Sequence, residues 1–263
     1  MPSDASSGGR AVERALSILE LFDERTERLN ATQVAAALGV HRSTASRLLA
    51  TLERHRLVEA DREAGGYVLG LGLVSLAGHV FNRFPVWSSG RGVVRELRNA
   101  TGETTWLGVL DGDEVVYIDQ ASGPNVRVHA DWVGRRQTLT AAVTGALLLA
   151  YQEPEVIKEL LLAGKSDGEP AAQHLSAEEL ATIRARGNLA RYEDPSSGHA
   201  VVAAPVRDHR GTVVAALSLS GLRDRIGPQR FTEELVPATC RAASRIAEGL
   251  GHPSSHTVGP GQA

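Results

Sequence analysis

The sequence predicts an α+β protein in two parts: an N-terminal winged helix-turn-helix domain and, beyond a linker helix, a second domain built on an antiparallel sheet. Three observations carry this. Residues 10–58 show short helical stripes with cap residues at their ends, residues 59–69 form a Gly-Gly hairpin, and residues from about 103 onward alternate strands and helices. A chain of 263 residues, 42% hydrophobic and 22% charged, is long enough for two modest domains.

The first helix is expected near Ala11–Asp23, where Val12, Ala15, Leu16, Leu19 and Phe22 form a stripe. Asn30-Ala31-Thr32-Gln33 has the form of a capping box. Val34, Ala35 and Leu38 supply the apolar face behind it, and Gly39 supplies the stop. A third helix is expected from near His41 to about His55, with Ala45, Leu48, Leu49 and Leu52 as its buried stripe. Its other face carries Arg42, Ser43, Thr44, Ser46, Arg47 and Thr51. Over residues 41–56, Arg42, Arg47, Arg54 and Arg56 stand against Glu53 alone, so this stretch is positive inside a chain whose net charge is −3. Arginine pairs bidentately with guanine or phosphate, and short hydroxyls reach phosphates or base edges. A polar helix face with a few arginines is on its own only a solvated surface. The order of helix, capped helix, basic helix and hairpin is the more specific signal. The hairpin, Leu57–Ala60 and Tyr67–Leu69 around a tip at Asp61–Gly66, reads as a wing with Arg62 at its tip.

In the second part, residues 103–110 and 114–119 flank the turn Asp111-Gly112-Asp113, and Val201–Arg207 and Thr212–Ser220 flank Asp208–Gly211. Thr144–Gln152 reads as an apolar helix, Ser176–Glu179 as a capping box whose helix ends at Gly187, and Thr232–Leu250 as a last helix bent near Pro237. Residues 2–9 and 252–263 lack large apolar side chains and are expected to be disordered.

The exclusions are as informative. A single cysteine, Cys240, leaves no disulfide framework or cysteine zinc site and fits a reducing cytoplasm. It reads as a buried thiol. Met1–Gly9 lacks the core of a secretory signal, and no stretch approaches a membrane span. No nucleophile elbow, phosphate-binding loop or dinucleotide fingerprint is present, and the Asp111/Asp113 pair lacks the other ligands of a calcium loop. His252 and His256 lie in a Pro/Ser/Gly tail unsuited to a rigid metal site. No enzyme activity, metal or cofactor is expected.

Residues 10–78 resemble the winged helix-turn-helix of IclR-type bacterial transcriptional regulators, through RAVERALSILELF, STASRLLATLERHRLV and GGYVLGLGLVSLAG. GETTWLGVLDGDEVVYIDQ, ELATIRARG and AAPVRDHRGTVVAALSLSG are similar to that family's effector-binding domain, so the resemblance covers about residues 10–250. It implies a disordered N-terminus at 1–9, a DNA-binding domain at 10–71, a linker helix at 72–85, a GAF-like effector domain at 86–251 and a tail at 252–263. The linker stripe of Leu73, Leu76, Ala77, Val80, Phe81 and Phe84, stopped by Pro85, either packs on its own domain or, as the resemblance implies, joins subunits into a dimer or tetramer. Double-stranded DNA with a roughly palindromic operator is the implied partner, without a membrane, and repression is the commoner outcome. In that family two serines of the last strand face the ligand, and Ser218 and Ser220 match them. Backbone amides at a helix start also bind small carboxylic acids, and Val143 and Thr144 match those. The family's usual aspartate, cysteine, histidine and lysine fall here at Arg191, Val201, Thr140 and Ala146. An arginine at 191 facing the cup favours an anionic, carboxylate or aromatic-acid effector; pointing outward, it pairs with Glu193 or Asp194. Trp106, Val126 and His129 are further candidates for the lining, beside their readings as core or structural residues. The competing reading is a constitutive repressor or architectural DNA-binding protein with a vestigial cup.

Overall fold

The computed structural model describes residues 7–23, 26–124, 131–163, 175–192 and 198–253. The chain divides into two compact units, Met1–Arg83 and Phe84–Ala263.

In the first unit, α1 (Ser7–Glu20), α2 (Ala31–Leu38) and α3 (Arg42–Arg54) precede a two-stranded hairpin, β1 (Val58–Ala60) and β2 (Tyr67–Leu69), and then α4 (Gly72–Phe81). Ile18, Val34, Ala45, Leu49, Leu52 and Val58 meet in its core. The α2 capping box is formed: Asn30 accepts from the Thr32 and Gln33 amides, and the Gln33 side chain accepts from the Asn30 amide. Gly39 closes α2 at φ 62°, the left-handed conformation that glycine takes without steric cost. Helix α1 starts at Ser7, so the disorder expected at 1–9 does not extend over 7–9; residues 1–6 lie outside those described. The helix also stops at Glu20, short of the expected Asp23.

The second unit holds a six-stranded antiparallel sheet in the order β5-β4-β3-β8-β7-β6. Its strands are β3 (Thr104–Asp111), β4 (Glu114–Ala121), β5 (Arg136–Thr138), β6 (Leu189–Arg191), β7 (His199–Arg207) and β8 (Val213–Leu222). Among the described residues, α5 (Pro85–Thr101), α6 (Val143–Ala150), α7 (Pro154–Ala163) and α8 (Ala177–Arg186) lie along the chain between α4 and β6. Short α9 (Arg223–Ile226) and α10 (Pro228–Arg230) follow β8, and a π-helical turn, Phe231–Leu235, leads into α11 (Val236–Gly249). One face of the sheet is covered by α5 and α11: a side chain at Gly90 of α5 would meet Leu107 and Ile246. The other is covered by α6 and α8, which bury Leu147, Leu180 and Ile183 with Ala203 and Ala216 of the sheet.

Several expectations need correction. Pro85 does not simply end a linker helix. Helix α4 ends at Phe81, and Pro85 opens α5, where its fixed φ and missing N–H suit the first turn. The linker expected at 72–85 therefore spans the boundary between the units. The irregularity before the last helix is the π turn rather than a bend at Pro237. Pro237 has no N–H to offer the Glu233 carbonyl, which removes an i to i−4 bond there. The tail begins later than expected. His252 is fixed by its ring, 3.0 Å from the Asp208 carbonyl, and by its amide bond to Ala247; residues 254–263 lie outside those described.

Glu103, 1% exposed, immediately precedes β3. Arg225 Nη1 donates to it at 2.7 Å and Arg230 Nη1 at 3.1 Å, while Arg230 Nη2 reaches the Thr101 carbonyl at 2.6 Å. This buried carboxylate pins the turn after β8 to the start of β3. Replacing both Arg225 and Arg230 by Ala strands its charge and is expected to cost about 3–5 kcal/mol. Tryptophan fluorescence reads this during denaturation, because Trp87, Trp106 and Trp132 all belong to the second unit. Gly145 of α6 is set so close to Leu139 that a Cβ would lie 2.6 Å from the Leu139 Cα. Gly145→Ala is expected to lower stability by about 1–3 kcal/mol in the same assay.

Candidate DNA-binding face and effector cup

Helix α3 buries Ala45, Leu49 and Leu52 and turns Arg42, Ser43, Ser46 and Arg47 to solvent, with Thr44 and Thr51 half-buried. His41 caps it: the ring Nδ1 accepts from the Ser43 amide at 3.3 Å and lies 2.9 Å from Ser43 Oγ. The sequence pattern did not mark this cap, because histidine is not among the usual cap residues. The Thr51 hydroxyl donates to the Arg47 carbonyl at 2.9 Å, so it is tied to its own helix rather than held out for a partner.

Arg10 and Arg14 of α1 join Thr44, Arg47, Leu48 and Thr51 around a cleft of about 510 Å³. Three guanidiniums thus border one cleft beside the exposed face of α3. The i, i+4 spacing of Arg10 and Arg14 was the available signal, obscured by reading the neighbouring residues as a disordered leader. In the wing, Arg62 is exposed. Asp61 fixes the tip by accepting from the Ala64 and Glu63 amides, and it pairs with Arg28 at 2.6 Å. These contacts, the Ala64 amide foremost, hold its carboxyl below the usual range.

In the second unit, register decides which side chains share a face. Ser218 lies opposite Trp106 on β3 and Ala203 on β7; Ser220 lies opposite Thr104 and Val201; Val201 lies opposite Arg191 on the edge strand β6. Side chains directly opposite one another project to the same side. Trp106, Ser218, Ser220, Val201 and Arg191 therefore share the α6 side of the sheet. Val126 and His129 lie outside the described residues.

On this side Ser218 is 1% exposed, and neither its Oγ nor the buried Trp106 Nε1 has a hydrogen-bond partner among the described residues. The Arg191 side chain, half-buried, forms no ion pair or hydrogen bond among the described residues; Glu193 and Asp194, its expected partners if it points outward, lie outside them. Helix α6 begins at Val143 after Ala142, which offers no side-chain cap, and Val143 and Thr144 are buried. Tyr117 and Trp132 stand edge to face, with centroids 5.7 Å apart. Burial pushes the Tyr117 phenol up, partly offset by the Thr144 side chain, and Tyr117 donates to Gln137 Oε1 at 2.8 Å. Tyr117 and Trp132 were missed because their place on this face depends on register and on the Trp132 loop.

Among the described residues no group of His, Cys, Asp and Glu is arranged to hold a metal. Cys240 is only half-buried rather than fully buried as expected, and that burial still pushes its thiol up, the opposite of an activated nucleophile. No described helix is long and apolar enough to cross a membrane.

Residues 11–62 match the IclR helix-turn-helix domain, and residues 78–248 match the C-terminal domain of the bacterial transcriptional regulator IclR. The transcriptional regulator XynR of Escherichia coli is 32% identical over 252 residues, covering 93% of this chain and 98% of XynR. The regulator BhcR of Paracoccus denitrificans is 31% identical, covering 94% and 90%. Among solved structures, Thermotoga maritima IclR superposes with a TM-score of 0.77 at 25% identity, covering 92% and 99%. An IclR homolog from Microbacterium hydrocarbonoxydans complexed with 4-hydroxybenzoate shares the fold, with a TM-score of 0.76 at 24% identity, covering 92% and 99%. With matched models running through both units, a DNA-binding helix-turn-helix in the first and an α+β sheet domain in the second, the chain belongs to the IclR family of bacterial transcriptional regulators, a family of regulators and not of enzymes.

Proposed function

We propose that this regulator is a cytoplasmic repressor that binds a roughly palindromic operator as a homo-oligomer, dimer or tetramer, and that a small carboxylate effector in the second unit controls it. The observation that carries the effector class is Arg191. It stands in register with Val201 and Ser220 on the α6 side of the sheet, and no described carboxylate neutralises it. A carboxylate completes such a guanidinium bidentately. The start of α6 adds to the same preference, because the first amides of an uncapped, buried helix are unmet donors at the positive end of its dipole.

For DNA, α3 enters the major groove. Arg42, Ser43, Thr44, Ser46 and Arg47 read bases or phosphates, Arg62 supports from the wing, and Arg10 and Arg14 hold the backbone beside α3. For oligomerisation, no residue of α4 is buried. Leu71, Val74, Leu76 and Val80 stand 51–73% exposed, and Val12 and Leu16 of α1 are 59% and 54% exposed. An apolar surface of this kind fits a second copy of the chain. Two-fold symmetry then doubles the DNA contacts that one small winged unit makes weakly.

Capture of genomic fragments, followed by sequencing, tests the DNA part. A few enriched sites sharing a palindrome are expected. Arg42→Ala with Arg47→Ala should remove site selection, each lost base contact costing about 1–3 kcal/mol, with folding intact. Arg10→Ala with Arg14→Ala should instead weaken all sequences alike and lower the salt slope by about 2. Unchanged affinity in the α3 double variant removes the recognition-helix assignment.

Thermal-shift measurements with small carboxylic acids, 4-hydroxybenzoate among them, test the effector part. A binding acid raises the midpoint of the second unit, since it binds the native state alone. Arg191→Ala should weaken that acid by at least about tenfold, the loss of a charged hydrogen bond of about 1.5–3 kcal/mol. Binding that ignores Arg191 overturns the carboxylate assignment, and no shift with any acid favours a vestigial cup.

A further inference from the structure

We propose that Trp106 Nε1 and Ser218 Oγ act together as a donor pair that selects the effector by an acceptor oxygen at the end opposite its carboxylate. The inference rests on the effector cup described above and names its second recognition point. The two residues face each other across β3 and β8. Both polar atoms are buried, and both lack a hydrogen-bond partner among the described residues.

Their isolation is local. On the same face, Thr104 Oγ1 accepts from the Gly123 amide at 3.0 Å, Tyr117 donates to Gln137, and Gln120 accepts from the Trp132 amide at 2.8 Å while donating to Ser122. Trp106 and Ser218 are cross-strand neighbours in the middle of a face where Thr104, Tyr117 and Gln120 have hydrogen-bond partners. Buried polar groups left unmet are rare in folded proteins, and two adjoining ones of compatible chemistry mark a place for a bound group. Other buried atoms without a hydrogen bond lie elsewhere: Arg98 Nε on α5, Tyr151 Oη at the end of α6, and Asp119 Oδ2, which is 3.7 Å from Arg95 and whose residue pairs with Leu107 and so projects to the α5 side.

An indole N–H only donates, and a hydroxyl donates as readily as it accepts. A group that satisfies both is therefore an acceptor: a ketone, phenol or alcohol oxygen. An ammonium or amide N–H is excluded by the indole. Arg191 sits two strands and one two-residue step away from Ser218, about 12 Å between Cα atoms at ordinary strand spacings. The ground between them is Val201 and Ala203, both apolar. The fitting ligand is thus a hydroxy- or oxo-carboxylic acid, with its two oxygen functions at opposite ends of an apolar spacer.

Matched acids that differ only in the distal oxygen test this: benzoate against 4-hydroxybenzoate, cyclohexanecarboxylate against its 4-oxo derivative, and pentanoate against 4-oxopentanoate. Calorimetry on the full chain should show the oxygenated member of a pair binding about tenfold or more tightly than its parent. Trp106→Phe should bring that preference to within about twofold, and Ser218→Ala should lower it. The Trp106 indole resonance in 15N-tryptophan spectra should move with the oxygenated acid and not with its parent. Arg191→Ala should weaken both members equally and keep the preference between them. A preference unchanged in both Trp106→Phe and Ser218→Ala overturns the donor pair while the cup stands. If no acid of any pair binds the wild-type chain, the donor pair falls together with the cup reading.

Discussion

The register of β8 is the constraint on which the effector domain depends. This strand lies between β3 and β7, and through them it sets Trp106, Ser218 and Ala203 in one row and Thr104, Ser220, Val201 and Arg191 in the next. Side chains alternate along a strand, so a one-residue slip of β8 would send Ser218 and Ser220 to the α5 side and bring Leu217 and Leu219 to the α6 side. Burial forbids that slip. Leu217, Leu219, Val202 and Ala204 are all fully or almost fully buried, and they need the apolar cover of α5 and α11. The polar residues on the α6 side are thus held in place by the hydrophobic face on the other side of the same strands.

Two local devices reinforce this register at its ends. The turn between β7 and β8 is closed by Asp208, whose Oδ1 accepts from the Arg210 and Thr212 amides at 2.9 and 3.0 Å. At the far end, Glu103 and its two arginines clamp the chain leaving β8 onto the start of β3, and Gly221 leaves the space that the carboxylate occupies. Neither device touches the proposed ligand. Each fixes where Ser218 and Ser220 stand relative to Trp106, and placement of that kind is what a site built on strands requires.

What the sequence disclosed follows the range of the interactions involved. Both capping boxes, at Asn30 and Ser176, were legible because a cap involves a side chain and amides within three residues. The helix-turn-helix order and the β3–β4 and β7–β8 hairpins were legible for the same reason. Helix α5 was not, because Gly90 and Gly92 argue against a helix, and the reason for Gly90 is Leu107 and Ile246 far away in the chain. The three-residue strands β5 and β6 exist only as additions to the sheet edges. The side of the sheet that Arg191 faces needs the pairing of three strands in sequence, and the placement of Trp106 opposite Ser218 needs two. Residue type alone named those side chains without showing what they share.

Charge placement bears on how such a regulator would be switched. The chain is net negative, yet Arg10, Arg14, Arg42 and Arg47 lie on or beside one helix face. Non-specific affinity grows with the number of phosphates neutralised, so a small, confined cluster keeps that background term low. A net negative remainder opposes the polyanion elsewhere on the surface. In the proposed oligomer, occupancy of the operator would then depend on a few base contacts repeated by symmetry. An effector coupling of about 1–3 kcal/mol changes affinity by about 5–150-fold, and by linkage the operator changes effector affinity by the same factor. Such a coupling alters occupancy strongly only where the operator is bound near its threshold. A broadly basic surface would hold the protein on DNA whether or not the effector was present. The sparse arginine set is therefore the electrostatic condition under which the proposed small ligand, if held by one arginine and two buried donors, would have leverage over a much larger partner.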